Sequence, residues 1–330
     1  MNNKKLVFYI CLAFFLVLLV PNGFALAGSK VVKLKTVSFL PGDHPLVDGF
    51  HMWEKKVNAA NGPVSVQYLG GPEVIPMFEQ HEAVRSGTVD AAWIPCAYYR
   101  NVLPEAFTMI LSRLDPWEER ESGYLAYMNK LHNEKLNAYL LGRQLMYNPF
   151  IFAGKEPSKS PADLKGRKLR AGSLYDTIYD TLGIIGVTMK HGDAYAALEK
   201  GVLDGVGCST GDVRKFHWNE VMNYVYTPPF WATNNVVLLI NLKKWNSLSK
   251  EQKDLLEQTQ ISLERPMYEY YKKKDKEYIQ GLIEGGLKMT QWSEADQKWF
   301  LEMADRVQWE NVEKTIGKEE GAKLRKMMGY

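Results

Sequence analysis

One short pattern occurs twice in this chain, and it constrains the fold more than any other feature. An apolar helix end, a glycine, two strand-forming residues and an aspartate stand at Gly87 and Asp90, and again at Gly201 and Asp204. Glycine often ends a helix because it adopts the left-handed backbone conformation without strain. The same unit used twice predicts two similar lobes, and two lobes predict a cleft between them.

Strands and helices alternate around both copies of this pattern. Residues 31–37 and 63–69 alternate between apolar and polar side chains, as half-buried strands do. Around the second copy, strands are expected at 167–171, 187–190 and 203–207, with helices between them. Alternation of this kind is typical of α/β folds with largely parallel sheets and flanking helices. The sequence therefore predicts two α/β lobes followed by a helical C-terminus.

Several further elements are expected from local signals. Helices are predicted from about Val74 to Ser86 and from about Trp117 to Leu131, and residues 137–149 are predicted as a strand crossing out of the first lobe. Asp193 is expected to cap a helix that starts at Ala194, and Ser249-Lys-Glu-Gln252 fits a capping box at a helix start. Pro266 is expected to interrupt or kink the helix that follows.

The N-terminus has the three parts of a secretory signal peptide. Lys4 and Lys5 precede an apolar run from Leu6 to Val20, and Ala25-Leu-Ala27 forms a small-residue cleavage site. An apolar run of about 15 residues is short for a membrane span, which needs about 20, although an uncleaved anchor remains the alternative. We therefore expect residues 1–27 to be a signal peptide, cleaved near Ala27, and the mature protein to be periplasmic.

Charge and cysteine usage exclude several functions. The formal net charge is +3, and loss of Lys4 and Lys5 with the signal peptide would leave +1. Such a balance predicts no nucleic-acid partner. No phosphate loop or metal-ligand spacing occurs, so no cofactor and no metal are expected. Cys96 and Cys208 each follow one copy of the repeated pattern, and both are expected to be free thiols, because a bridge between them would lock the cleft.

Five segments together resemble one known family. They are Tyr68-Leu-Gly-Gly, Val84-Arg-Ser-Gly-Thr-Val-Asp90, Leu164-Lys-Gly-Arg-Lys-Leu-Arg170, Ala197-Leu-Glu-Lys-Gly-Val-Leu-Asp-Gly205 and Asn241-Leu-Lys-Lys-Trp-Asn-Ser-Leu248. In order and spacing the chain resembles the dicarboxylate-receptor-like solute receptors of tripartite ATP-independent periplasmic (TRAP) transporters. The resemblance implies a two-lobed periplasmic-binding-protein-like fold. It also implies that the protein captures an organic acid and passes it to membrane permease subunits, as a monomer or dimer.

The expected lobes are discontinuous in sequence. Residues 28–144 and 235–275 are assigned to lobe 1, and residues 145–234 and 276–330, with the C-terminal helices, to lobe 2. The absence of a Pro-, Gly- or Ser-rich linker predicts that crossing strands join them.

The resemblance also implies where the ligand carboxylate binds. In the family, the arginine of the Lys-x-Arg strand holds it, and here that residue is Arg170. A second family arginine has its nearest match in Arg143, for which a structural salt bridge between the lobes is the alternative. Many sugar-acid and dicarboxylate members have Asn-Pro shortly after the Asp-Gly pair, where this chain has Val206-Gly-Cys208-Ser209. This loss of polar groups favours a monocarboxylate with an apolar or aromatic body over a sugar acid.

Four aromatic residues near predicted strand ends complete the candidate site. Trp93 and Tyr98 follow the first repeat, Tyr175 follows Arg170, and Trp231 follows a Pro-Pro pair. Ligands of α/β sheets bind beyond strand ends, although each of these rings could equally belong to the core.

Two other functions are weighed against transport. A sensor presenting the same ligand to a membrane kinase would have the same fold. Gly207-Cys-Ser209-Thr-Gly211 matches the nucleophile elbow of serine hydrolases, but His217, eight residues later, is the only histidine that follows Ser209. The sequence therefore favours a binding protein over an enzyme.

Overall fold

A computed structural model describes residues 31–172, 175–231 and 233–330. Residues 32–330 form one compact unit. The predicted signal peptide, residues 1–27, lies outside the described residues. Among those that are described, no helix has the length and apolar character that a membrane span requires.

The described elements alternate along most of the chain. The strands are β1 Val32–Ser38, β2 Val64–Gly70, β3 Ala91–Pro95, β4 Ala138–Leu145, β5 Phe150–Gly154, β6 Lys168–Ala171, β7 Ile185–Thr188, β8 Gly205–Ser209, β9 Tyr224–Trp231, β10 Val236–Asn241 and β11 Lys288–Gln291. The α-helices are α1 Asp48–Ala59, α2 Gln80–Ser86, α3 Pro116–Glu121, α4 Tyr124–Leu136, α5 Asp176–Leu182, α6 His191–Glu199, α7 Thr210–Lys215, α8 Leu242–Ser247, α9 Lys250–Glu284, α10 Glu294–Ile316 and α11 Lys318–Met327.

The strands form two sheets. Sheet A has the order β2-β1-β3-β10-β4, and sheet B has the order β11-β9-β5-β8-β6-β7. In sheet A, β10 runs antiparallel to both its neighbours, and in sheet B, β5 does the same. All other pairs are parallel. The predicted fold class, two mainly parallel sheets with flanking helices, is confirmed.

The chain passes between the sheets twice within the region that carries the predicted site. It leaves sheet A after Leu145 and enters sheet B at Phe150, and it returns from Trp231 to Val236. The edge strand β11 later adds to sheet B. Helix α10 then packs on β9 and α5 beside sheet B, and also on the 3₁₀ segment Pro104–Leu111, which follows β3.

The repeated pattern has the same structural role in both sheets. Gly87 and Gly201 adopt left-handed φ angles of 81° and 72° after their helices. The Asp90 carboxylate accepts a hydrogen bond from the Lys35 backbone N–H at 2.8 Å, and Asp204 accepts one from Lys168 at 2.7 Å. Each aspartate therefore ties the start of its strand to a neighbouring strand, which explains why the unit occurs twice.

Three predicted helix boundaries are wrong for local reasons. Helix α2 begins at Gln80 rather than near Val74, because Pro76 disfavours the helical conformation of the preceding residue, Ile75. The helix predicted from 117 to 131 is two helices, separated at Gly123, whose φ is 78°. Helix α6 begins at His191, two residues before Asp193, the N-cap predicted from sequence.

Helix α9 is a 35-residue helix that contacts both halves of the molecule. Its predicted capping box at Ser249 and Gln252 is confirmed. Pro266 lies inside the helix and does not end it, so the predicted interruption is wrong, and a kink at this residue stays a prediction. The helix packs on α1 and β4 at sheet A and on α7 after sheet B.

Candidate ligand-binding site

Polar side chains from both sheets meet beyond the carboxyl ends of parallel strands. In sheet A, His44 follows β1 and Tyr98 follows β3; in sheet B, Arg170 lies in β6, His191 follows β7 and Asp212 follows β8. The carboxyl ends of parallel strands lie at one edge of a sheet, where α/β proteins bind ligands. We call these five residues the cleft cluster.

Arg170 is buried without a carboxylate partner. Only 5% of the surface of Arg170 is exposed. Nε and Nη2 donate to the Met189 carbonyl at 3.3 Å, and Nη2 also donates to His191 Nδ1 at 3.3 Å. Among the described residues, no acid forms an ion pair with it and Nη1 has no hydrogen-bond partner. A buried charge needs compensation, so this guanidinium is suited to binding an anion.

His191 links Arg170 to Asp212. Because arginine only donates, His191 Nδ1 accepts its hydrogen bond, and the ring proton of neutral His191 is on Nε2. That nitrogen lies 3.9 Å from Asp212 Oδ2. Burial lowers the pKa of His191, and the positive charge of Arg170 lowers it further, against the raising effect of Asp212. The ring is therefore neutral near pH 7.

His44 approaches the other oxygen of Asp212 from the opposite half. Its Nδ1 accepts from the Leu46 backbone N–H at 3.2 Å, so Nε2 carries the ring proton. Nε2 has no hydrogen-bond partner and lies 3.9 Å from Asp212 Oδ1. Nearby, Lys215 Nζ lies 3.4 Å from Asp43 Oδ2. These contacts join the loop after β1 to helix α7, so the two halves touch here.

Tyr98 contributes a neutral phenol to the cluster. Burial raises the pKa of Tyr98 to about 12, while the charge of Arg170 opposes the rise and Asp212 adds to it. Both charged groups are thus close enough to act on the phenol. Tyr175 is also buried beside them, and burial raises its pKa although the charge of Arg170 opposes this. Both tyrosines are hydrogen-bond donors at neutral pH.

The two predicted tryptophans, Trp93 and Trp231, lie behind the aromatic residues that are nearest to Arg170 and Asp212. Trp93 is fully buried and stacks on Phe39 with centroids 4.8 Å apart, and Phe39 in turn meets the edge of Tyr98. Trp231 packs against Tyr175 with centroids 5.8 Å apart. Trp93, through Phe39, therefore supports Tyr98 from one half, and Trp231 supports Tyr175 from the other.

Arg143 already has an acidic partner. It is 1% exposed, and its Nη2 forms an ion pair with the equally buried Glu119. Nη1 donates to the Met109 carbonyl at 2.9 Å and to Thr233 Oγ1 at 2.8 Å. Thr233 belongs to the segment that returns the chain to sheet A. The surroundings of Arg143 favour the structural salt-bridge alternative. The bridge lies within the first half and the returning segment, and does not join the two lobes as that alternative supposed.

Ser209 lacks the geometry of a catalytic nucleophile. Its φ and ψ are −75° and 155°, which is ordinary extended backbone, and it is 1% exposed. Its hydroxyl donates to Asp212 Oδ2 at 2.8 Å and caps helix α7. No described histidine hydrogen-bonds to it. Ser209 instead orients Asp212, and Cys208 beside it packs into the core with Ile151 and Val206.

Cys96 and Cys208 are both free and buried, as predicted. Burial raises the pKa of the Cys96 thiol to about 12, although a hydrogen bond from Tyr99 opposes the rise. Burial also raises the pKa of Cys208 well above its ordinary value. Thiolates are the reactive form. We expect both to resist iodoacetamide at pH 8 in the folded protein and to react fully in denaturant, as counted by mass spectrometry; rapid labelling of either in the native state would contradict this burial.

Sequence reasoning did not identify His44, His191 and Asp212. A signal was nevertheless present, because each follows the carboxyl end of a strand that runs parallel to its neighbour. The sequence does not show which strands pair, and this pairing is what places the three residues at one edge of the sheets.

Two cavities lie outside the cleft cluster. One, of about 420 Å³, is lined by Arg143, Trp231 and Tyr268 among others. The other, of about 520 Å³, is lined by residues that include Asp176 and Asn311. Neither is lined by Arg170 or Asp212, which lie where the two halves are in contact.

Two α/β halves, joined by crossing segments of the chain and presenting facing polar strand ends, define a two-lobed binding protein. Residues 36–315 match the family described as bacterial extracellular solute-binding protein, family 7, and the chain belongs to that family. The resemblance to TRAP solute receptors found in the sequence is thereby confirmed.

Individual relatives agree with this assignment. The chain is 25% identical over 268 residues to a monocarboxylate 2-oxoacid-binding periplasmic protein of Nostoc sp. (strain PCC 7120), covering 78% of this chain and 72% of the relative. The fold is similar to that of a TRAP periplasmic solute binding protein from Desulfovibrio salexigens with bound orotic acid (TM-score 0.78, 18% identity, 90% of this chain and 97% of that one). It is also similar to DctP7, a Bordetella pertussis receptor binding pyroglutamic acid (TM-score 0.77, 16% identity, 91% and 100%).

Proposed function

We propose that this protein is a receptor that captures an organic monocarboxylate for a TRAP-type secondary transporter, and that it is not an enzyme. One observation carries the proposal: Arg170 is 5% exposed and has no acidic partner among the described residues. A ligand carboxylate would neutralise this charge and could accept two parallel hydrogen bonds from the guanidinium.

The surroundings of Arg170 support a ligand with an apolar or aromatic body. Tyr175, Phe150, Phe230 and Trp231 form a group of rings with centroids 5.1–6.0 Å apart. Phe39 and Trp93 lie on the other side, behind Tyr98. The acids bound by similar proteins, pyroglutamic acid and orotic acid among them, include cyclic ones. The aromatic side chains beside Arg170 can bury the apolar surface of a ligand at small cost in their own conformational entropy.

Delivery to a membrane permease follows from the same proposal. The protein would be exported by residues 1–27, cleaved near Ala27, and would present its closed, ligand-bound form to permease subunits. Closure of two lobes around a ligand is a hinge motion common in periplasmic receptors. A sensor for a membrane kinase would use the same site, and only the partner protein distinguishes the two roles.

Native mass spectrometry of protein purified from a periplasmic extract without refolding tests the proposal. The expected result is a chain that begins near Gly28 and retains one small carboxylic acid. Retention of a cation or of a neutral sugar would contradict the assigned ligand class, and a full-length chain would contradict the cleavage.

A further inference from the structure

The cleft cluster contains a hydrogen-bond donor in one half that faces an acceptor in the other half, at a distance too long for a direct hydrogen bond. His44 Nε2, which carries a proton, and Asp212 Oδ1 are 3.9 Å apart. N–H···O hydrogen bonds are about 2.7–3.2 Å long, so these atoms do not bond directly. His44 Nε2 is buried and has no hydrogen-bond partner, and no described residue donates a hydrogen bond to Asp212 Oδ1. His44 is 3% exposed and Asp212 is 8% exposed.

A buried N–H without a partner is costly, so His44 Nε2, which lies 3.9 Å from a carboxylate oxygen, is suited to a ligand group that bonds to both atoms. The group must donate to the carboxylate oxygen and accept from the imidazole N–H. A hydroxyl does both; a ketone cannot donate, and an ammonium cannot accept. One oxygen placed between atoms 3.9 Å apart can reach each of them at hydrogen-bond distance.

Both protein atoms are held in the required state. His44 Nδ1 accepts from Leu46 N–H, which leaves the proton on Nε2. Asp212 Oδ2 accepts from the Ser209 hydroxyl at 2.8 Å, which turns Oδ1 toward His44. Phe216 packs beside the His44 ring with centroids 6.3 Å apart. The pair is therefore preorganised for one kind of ligand group.

We infer that the ligand is a hydroxy acid, whose carboxylate binds Arg170 and whose hydroxyl bridges His44 and Asp212. The inference rests on the proposed function and names its substrate class more narrowly. The bridge joins the loop after β1 to helix α7, so the hydroxyl also links the two lobes in the closed form. Its loss should therefore weaken binding more than a contact to one lobe would.

Calorimetric titration with matched acids tests this. The wild-type mature protein, freed of retained ligand, is titrated with three sets: C3 acids, 3-methylbutanoic acids and 3-phenylpropanoic acids. Each set contains the unsubstituted, 2-oxo, 2-amino, 2-hydroxy and 3-hydroxy forms. In the set that binds, a hydroxy form should bind at least about tenfold tighter than the unsubstituted, oxo and amino forms, because a site built to bond a hydroxyl rejects analogues without it.

Two variants localise the effect. His44→Phe keeps a ring beside Phe216 and removes the N–H, so the hydroxyl preference should fall to within about threefold. His81→Phe, a half-buried ring on α2 outside the cleft cluster, is the matched control and should keep the preference.

The outcomes separate the two proposals. If acids bind but hydroxyl and non-hydroxyl forms bind equally well, as when a water bridges the pair, the inference is wrong and the proposed function stands. If a 2-oxo or 2-amino acid is preferred, the inference is also wrong. If no acid in any set binds, the proposed function is wrong and the inference fails with it.

Discussion

Replacing Arg170 by alanine is expected to weaken binding of the retained acid several hundred-fold or more. The replacement would leave a ligand carboxylate buried in the cleft without its partner. Breaking a buried ion pair from one side costs about 3–5 kcal/mol, and each 1.4 kcal/mol corresponds to about tenfold in affinity. Isothermal titration calorimetry with the ligand identified by native mass spectrometry measures the change.

Two further variants show whether the loss is specific. Arg170→Lys keeps the charge but not the planar fork, so it should also bind much more weakly than the wild type. Lys168→Ala removes an exposed cation from the same strand and should bind as the wild type does. All three should unfold at similar temperatures. Near wild-type affinity in Arg170→Ala would mean that another group, with Arg143 the first to test, anchors the acid.

Replacing Glu119 by alanine is expected to lower the free energy of unfolding by about 3–5 kcal/mol, because Arg143 would stay buried without its partner. Both side chains are 1% exposed. The same guanidinium holds Thr233 and the Asn234 carbonyl in the returning segment, so the loss should extend to the junction between the sheets. Urea denaturation followed by tryptophan fluorescence measures it.

A double-mutant cycle isolates the pair. Arg143→Ala with Glu119→Ala should lose much less stability than the two single variants added together, because no charge is then left alone. Glu82→Ala, which breaks an exposed pair with Arg85, is the control and should change stability by no more than about 1 kcal/mol. Additive losses in the cycle would show that Arg143 and Glu119 do not stabilise each other.

The fold was predictable where local signals repeat. The two Gly-x-x-Asp units marked corresponding strands, and the structure gives both aspartates the same backbone hydrogen bond. Strand β10, Val236–Asn241, begins with five consecutive apolar residues, which is a clear local signal for a buried strand. By contrast, β9 contains Pro228 and Pro229, and β11 has no buried residue, so neither has a strong strand pattern.

The site was predictable only in part, for a physical reason. Arg170 belongs to a local motif that can be recognised in the sequence. His44 and Asp212 are 168 positions apart and meet only because two sheets face each other. Periodicity reports which face of a strand is buried, and it carries no information on which strand ends oppose one another. The same limit explains why the pairing of Arg143 with Glu119, between a strand and a separate helix, was not predicted.

Helix α9 holds the two segments that carry His44 and Asp212. Tyr271 holds the turn that carries His44, since its hydroxyl donates to the Leu46 carbonyl at 2.6 Å and accepts from the Gly49 N–H at 2.7 Å. Asp275 accepts from the Thr210 hydroxyl at the start of the helix that carries Asp212. At 1.5 Å per residue, these two anchor points are about 6 Å apart along one axis.

The spacing of His44 and Asp212 therefore depends on two residues of α9 that lie outside the cleft cluster. Exchanging only the cleft residues between related receptors would transfer the chemical preference of a site but not its length. Redesign toward a longer acid would have to begin on the buried face of helix α9, by moving the attachment at Tyr271 or Asp275 by one helical turn.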